Sequence, residues 1–193
     1  MIGIDHEYIS ENAAQGDTPG ERPDVQRVYC EIMQMGACKL AKGGRELGVL
    51  NLTVRAHRIH TIPKWLSRMT GMTEEKRAQG VSFPEALKRL VTFIGNDENI
   101  WTFSGDWWVL EGNAKAHGLI LPFTRPFKRL KPLLSEHGIT AEDFKRVGFD
   151  EVCSGGLYQV LGIQLPEIES VGAHDATHDA RSLAHSIHHL RLG

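Results

Sequence analysis

Apolar positions come in two regimes along the chain: short blocks and alternations in the first fifty or so residues, helical spacing after that. Residues 2–8 combine β-branched Ile2 and Ile4 with polar groups at the far end, and predict a strand. Residues 9–27, rich in Gly, Pro, Asn and Asp, predict a loop. Residues 28–40 predict a long strand, Gly43 and Gly44 a turn, and residues 46–54 its antiparallel partner. From Ser82 onward helices take over. Ser82 and Glu85 have the spacing of a capping box, and Phe83, Leu87, Leu90, Val91 and Ile94 form one face of the helix behind it, which stops near Gly95. Residues 99–103 predict a short buried strand, and Asp106 to His117 a helix stopped by Gly118. Pro122, Pro126 and Pro132 mark residues 119–139 as loop with short helical turns. Thr140 caps a helix over 141–147, another follows at 157–162, and the last helix carries Ala180, Leu183, Ala184, Ile187 and Leu190 on one face. Strands first, then helices alternating with a strand, predict an α/β fold: a mixed sheet with helices packed on it. With no repeat or linker, residues 1–193 read as a single domain.

Composition narrows the class. Of 193 residues, 41% are hydrophobic and 24% charged, which excludes disorder as the dominant state. Lys plus Arg is 22 and Asp plus Glu is 24, a formal net charge of −2, so a broad electrostatic grip on duplex DNA is not expected. A small site for a few nucleotides remains compatible, above all if bound cations supply positive charge. The three cysteines, Cys30, Cys38 and Cys153, show no paired spacing; free thiols fit a reducing cytosol, and the expected location is cytoplasmic. Neither a secretory signal nor an apolar stretch of membrane-spanning length is visible, so no membrane association is expected.

Three places along the chain offer chemistry. Asp5 and Glu7, two apart on a strand, point to the same face and make a hard oxygen pair suited to Mg²⁺ or Mn²⁺. Such a pair is also what a solvated strand end looks like, and the spacing alone does not separate the two. Asp106 opens a helix, where a carboxylate serves equally as an N-cap. His174 and Asp179 stand five apart where the last helix begins; the other reading is a polar helix start in a chain with 10 histidines. His185 and His189, one helical turn apart, would suit zinc but have no evident third ligand. Lys64, Arg68, Lys76 and Arg77, or Lys128, Arg129 and Lys131, would suit phosphates, and a solvated face is the alternative for each group. No phosphate-binding P-loop, Rossmann glycine pattern or nucleophile elbow is present.

The ordered set IDHEY, EIMQMGACKL, IPKWLSRMTGMTEE, GDWWVLEGNAKAHGL and HDATHDA resembles the DnaQ-like 3′–5′ exonuclease superfamily, in its branch with four acids and a histidine. The resemblance runs over nearly the whole chain. It implies an RNase H-like fold with a mixed sheet of about five strands and helices on both faces. It also implies that Asp5, Glu7, Asp106 and Asp179 hold two Mg²⁺ or Mn²⁺ ions and that His174 is the general base. Tyr8, the stretch Thr70, Gly71 and Met72, and Trp107 are then expected beside the terminal nucleotide. The implied activity is hydrolysis of phosphodiester bonds at the 3′ end of single-stranded nucleic acid, RNA slightly before DNA, with release of nucleoside 5′-monophosphates. Related enzymes often form homodimers. A proofreading subunit bound to a polymerase and a non-catalytic nucleic-acid-binding scaffold are the alternatives. The sequence departs from the family pattern at His6, inside the D-x-E motif, at Trp107 and Trp108, and in the long 9–27 loop.

Overall fold

The computed structural model describes residues 1–13, 24–166 and 174–192. Its sheet has five strands in the order β3-β2-β1-β4-β5. β2 (Cys30–Leu40) runs antiparallel to both its neighbours, β1 (Ile2–Ser10) and β3 (Glu46–Thr53). β4 (Ile100–Thr102) lies parallel to β1, and β5 (Lys128–Arg129) parallel to β4. The helices are α1 (Lys64–Thr70), α2 (Glu74–Ala78), α3 (Phe83–Ile94), α4 (Asp106–Ala116), α5 (Ala141–Arg146), α6 (Leu157–Val160) and α7 (Ala176–His189).

Strand alternation divides the core between the two sheet faces. Ile2 and Ile4 of β1, with Cys30, Ile32, Met35 and Ala37 of β2, pack against α3 and α4. The numbers on β2 change parity after Ile32 because the register shifts: Glu7 pairs with Gln34 but Tyr8 with Ile32. This β-bulge leaves Met33 without a partner on β1 and keeps apolar residues on one face on both sides of the shift. Asn113 of α4 serves the same region, accepting from the Ile32 N–H at 3.2 Å and donating to the Cys30 carbonyl at 2.7 Å.

α7 covers the other face, with Leu183 and Ile187 packed against Trp101, Phe103 and Leu157. Glycines let it come close. A Cβ on Gly36 would lie 2.0 Å from the Ala176 carbonyl oxygen, and one on Gly3 would lie 2.7 Å from that of Ala180. Gly36 sits directly opposite Asp5 in the β1–β2 register. Charged fasteners hold the helix in place: Arg181 donates two bonds to Glu46, at 2.8 and 3.0 Å, and His185 lies 2.9 Å from the same carboxylate.

The structure departs from the sequence expectations in several places. α1 and α2 fall where the pattern suggested no helix; at seven and five residues they are too short to show a period. β5 is two residues long and sits in the proline-rich stretch read as loop. Ser82 makes no capping bond: Glu85 turns to Arg89, 2.8 Å away, rather than back to the helix start. A complete capping box forms instead between Thr140 and Asp143. Ile9 and Ser10 of the expected 9–27 loop belong to β1, while residues 14–23 lie outside the described residues.

Candidate active site

The two faces of β1 divide the candidate residues. Asp5 and Glu7 share the α7 face with Gly3, and the close approach at Gly36 brings Asp179 down to them. Carboxylate oxygens of Asp5, Glu7 and Asp179 lie within 4.8 Å of one another. α7 is indexed on β2 at its first turn. Its N-cap, Asp175, accepts from the Thr177 and His178 N–H groups at 3.0 Å each. Gln34, the residue paired with Glu7, donates to the other Asp175 oxygen at 2.6 Å and accepts from the Ala176 N–H. The strand paired with the one that carries the first acids thus fixes the axial position of the helix that carries the last.

His6 points to the opposite face, toward α4. Its backbone N–H donates to Asp106 Oδ1 at 3.1 Å, and its ring Nδ1 lies 3.6 Å from the same oxygen. Gly105, not Asp106, is the N-cap of α4, and Asp106 is the first helical residue. The capping reading of Asp106 is therefore corrected: its carboxylate tethers β1 across the sheet. Burial pushes the His6 imidazole down to about 4 and keeps it neutral.

Burial and mutual repulsion govern the acids. Burial first, then the charges of Asp179, Asp106 and Glu7, push the Asp5 carboxyl well above its ordinary value, with Ser154 opposing. Burial likewise raises Asp106 to about 6 and Asp179 to about 7. Asp179 is only 3% exposed, and its Oδ1 has no hydrogen-bond partner among the described residues. Buried carboxylates crowded together without a neighbouring Lys or Arg are costly unless protonated or bound to a cation. Hard oxygen donors of this kind suit Mg²⁺ or Mn²⁺, so the residues present fit the expected ions.

Ser154 was not expected. Its hydroxyl lies 2.9 Å from Asp5 Oδ1 and 3.1 Å from Asp179 Oδ2. One hydroxyl carries one proton, so it donates to one carboxylate at a time and sits between them as a spacer. Ser182 of α7 holds this segment by donating to the Ser154 carbonyl at 2.6 Å. No motif marks Ser154; its partners lie 149 and 25 residues away.

The remaining candidates are placed unequally. His174 has a left-handed backbone, φ 71°, just ahead of α7, and a hydrogen bond from its backbone partly opposes the rise that burial imposes on the Asp179 carboxyl. His178 packs edge-on against Tyr158, ring centroids 5.4 Å apart. Thr70, Gly71 and Met72 form the left-handed exit of α1. Met72 plugs into a cluster with Ile9 and Met33, past the Glu7 end of β1, and partly buried Tyr8 packs on the α4 side. A buried ion pair between Glu31 and Arg77 holds the neighbouring segment 57–59: Glu31 accepts from the N–H groups of His57, Arg58 and Ile59, and Arg77 donates to the Ile59 carbonyl. Burial alone would push the Glu31 carboxyl up, but the N–H groups of His57, Arg58 and Ile59 and the Arg77 guanidinium hold it below the usual range. Trp107 does not meet its expectation. It is 8% exposed and packs edge-on against Phe127 and Phe123, so its ring is committed to the core rather than offered to a base.

No family model and no curated protein matches this chain. Solved structures do. A 3′-exonuclease described in 3′-end specific recognition of a histone mRNA stem-loop superposes with a TM-score of 0.73 at 15% identity, covering 99% of this chain and 80% of that one. The nuclease domain of 3′hExo, a DEDDh family member bound to rAMP, gives 0.68 at 17% identity over 99% of this chain and 90% of that one. Cell-death related nuclease 4 (CRN-4) gives 0.68 at 19% identity over 100% of this chain and 64% of that one. With the sheet order and the helices on both faces, these likenesses establish the architecture: the chain has the RNase H-like α/β fold of the 3′-exonucleases to which it is similar.

Proposed function

We propose that this protein is a metal-dependent 3′–5′ exonuclease acting on the 3′ end of a single strand and releasing nucleoside 5′-monophosphates. One observation carries the reading: three carboxylates from opposite ends of the chain converge within 4.8 Å, while a fourth, Asp106, is held across the strand by the His6 N–H. Asp5, Glu7, Asp179 and Asp106 would hold two Mg²⁺ or Mn²⁺ ions. Such ions, when bound, lower the pKa of water and neutralise charge on a phosphoryl group and its leaving oxygen.

The chain's own residues supply the rest. Asp5, whose carboxyl is flanked by those of Asp179, Asp106 and Glu7, would help to hold both ions. Glu7 and Asp179 serve the side of the attacking water, and Asp106 the side of the leaving oxygen. His174 takes the proton of the attacking water, a task suited to an imidazole. Tyr8 and the Thr70–Met72 turn flank the terminal nucleotide. RNA is slightly preferred as substrate; the 3′hExo structure bound to rAMP supports that preference by likeness.

The test is digestion of matched RNA and DNA single strands with free or 3′-phosphorylated ends. Cleavage of free 3′ ends that stops in chelator and returns with Mg²⁺ or Mn²⁺ is the expected result. Full activity in chelator, or rapid cutting of a circular strand, would overturn the reading. Binding without any cleavage under all metal conditions would favour a scaffold.

A further inference from the structure

A second feature lies beside the carboxylates and plays no part in the chemistry above. Residues 119–135 contain no acid and four cations, Arg125, Lys128, Arg129 and Lys131, in a chain of net charge −2. Arg125 faces Glu98 at 3.6 Å, and Lys128 donates to Asn99 at 2.8 Å, at the far end of β4. Lys128 also lies over a ring, 5.1 Å from the centre of Trp101, but its ammonium is held at Asn99, away from Asp106; Arg129 and Lys131 follow it toward the Asp106 turn. They are exposed, and among the described residues neither has a carboxylate partner. Each is seated on an aromatic ring instead. The Arg129 guanidinium carbon lies 5.0 Å from the centre of Trp108, and Lys131 Nζ lies 5.8 Å from that of Phe103. A cation resting on a ring is oriented without being neutralised, so its N–H groups remain available to an anion.

Their place in the fold gives the feature meaning. The ladder between β4 and β5 continues past both strands: the Leu130 N–H donates to Thr102 and the Lys131 N–H to Phe103, each at 3.0 Å. Phe103 lies three residues before Asp106 and Trp108 two after it. The two cations therefore bracket the turn that carries Asp106. When a 3′-terminal nucleotide is removed, water's oxygen bonds to phosphorus and the bond from phosphorus to the 3′ oxygen of the preceding nucleotide breaks. That oxygen takes a proton and belongs to the strand that stays behind. If Asp106 serves the leaving oxygen, the remaining strand begins at the Asp106 turn.

We propose that Arg129 and Lys131 bind the phosphates of the strand upstream of the cleaved bond, forming a basic track along the β5 edge. The inference rests on the exonuclease reading and adds to it the substrate it favours: a strand several nucleotides long rather than a dinucleotide. The two cations touch the retained strand, not the reacting atoms, so their effect depends on substrate length and on salt.

The experiment compares wild type with the double variant R129Q K131Q. Substrates are single strands of two to about twelve nucleotides, together with the p-nitrophenyl ester of a nucleoside 5′-monophosphate, which has no upstream strand. For the longer strands the variant should raise KM about tenfold at low salt, with kcat unchanged. Its log–log salt dependence should flatten by about 1.4, at about 0.7 per single-strand phosphate contact. Turnover of the ester should stay within about twofold, and the charge-preserving R129K K131R should restore the wild-type slope. Unchanged KM and slope on the longer strands would overturn the track. Equal losses on the ester, the dinucleotide and the longer strands would also overturn it, by locating the effect in the Asp106 turn itself. A wild-type protein that cleaves neither the ester nor any strand would instead overturn the exonuclease reading on which the track depends.

Discussion

His174 combines two properties that a substitution separates. Its backbone is left-handed, a conformation histidine and asparagine enter more readily than most residues, and that backbone hydrogen-bonds Asp179. His174→Ala removes the imidazole and also strains the turn, so a loss of activity there has two causes. His174→Asn keeps the turn and removes only the base. If the imidazole takes the proton, both variants should lose about 10²–10⁴-fold in kcat, and His174→Asn should melt close to wild type. Rapid-quench turnover with a thermal melt on each variant checks this; near-wild-type turnover in His174→Asn would make the residue a backbone element only. His178→Ala should stay within about tenfold, because that ring is spent on Tyr158. Asp5, Glu7 and Asp179, which the fold brings together, were legible because each sits in a short local motif. Ser154 was not, because a serine acquires a role here only through where the chain folds. Trp107 misled because an aromatic residue beside a candidate acid reads the same way whether it faces a base or a core.

Between elements, the decisive contact is between a helix and two glycines. Strand β2 was legible in outline, but neither the bulge at Met33 nor the glycine stripe under α7 shows in hydrophobic patterning, since glycine has no side chain to pattern. Gly36→Ala would set a methyl 2.0 Å from the Ala176 carbonyl oxygen and 2.5 Å from the Thr177 nitrogen. Backbone cannot turn aside as a side chain does, so α7 must rise or tilt, and Asp179 moves with it. The expected cost is about 1–3 kcal/mol, a melting shift of roughly 3–10 °C in a domain of this size. Activity should fall well beyond what the unfolded fraction explains, because displacement of α7 opens the Asp5–Asp179 spacing. Gly43→Ala, with nothing within 4 Å of its new methyl, is the control and should change neither. Equal behaviour of the two variants in melts and assays would mean that α7 seats without the stripe. The short elements α1, α2 and β5 escaped the sequence for a related reason: each is fixed by contacts with distant residues and is too brief to show a period.

At the scale of the whole molecule, charge concentrates in the carboxylate group, and this sets how acid and metal compete. Asp5, Asp106 and Asp179 have folded-state values raised above those of an unfolded chain, toward 6 and 7 for the last two. A raised acid favours folding at low pH, where it holds its proton. That contribution is lost as pH climbs from about 4 toward 7 and the charges must coexist. Divalent ions bind only the ionised form, so they restore stability where the protons have left. The rise in melting temperature on adding Mn²⁺ should therefore be small near pH 5 and grow through pH 7 to a plateau near pH 8. Differential scanning fluorimetry with and without chelator, across that range, reads it directly. A rise independent of pH, or one that survives Asp5→Asn combined with Asp179→Asn, would place the ion elsewhere.

The axial position of α7 on β2, fixed by Gln34 and Asp175, also bears on how the protein is made. Asp5 leaves the ribosome before Asp179, which is synthesised 174 positions later. Until α7 has emerged and settled over Gly3 and Gly36, the nascent chain has neither its last acid nor its histidine. The carboxylate group, and any metal-dependent chemistry it supports, thus stays incomplete until α7 has been made and has docked.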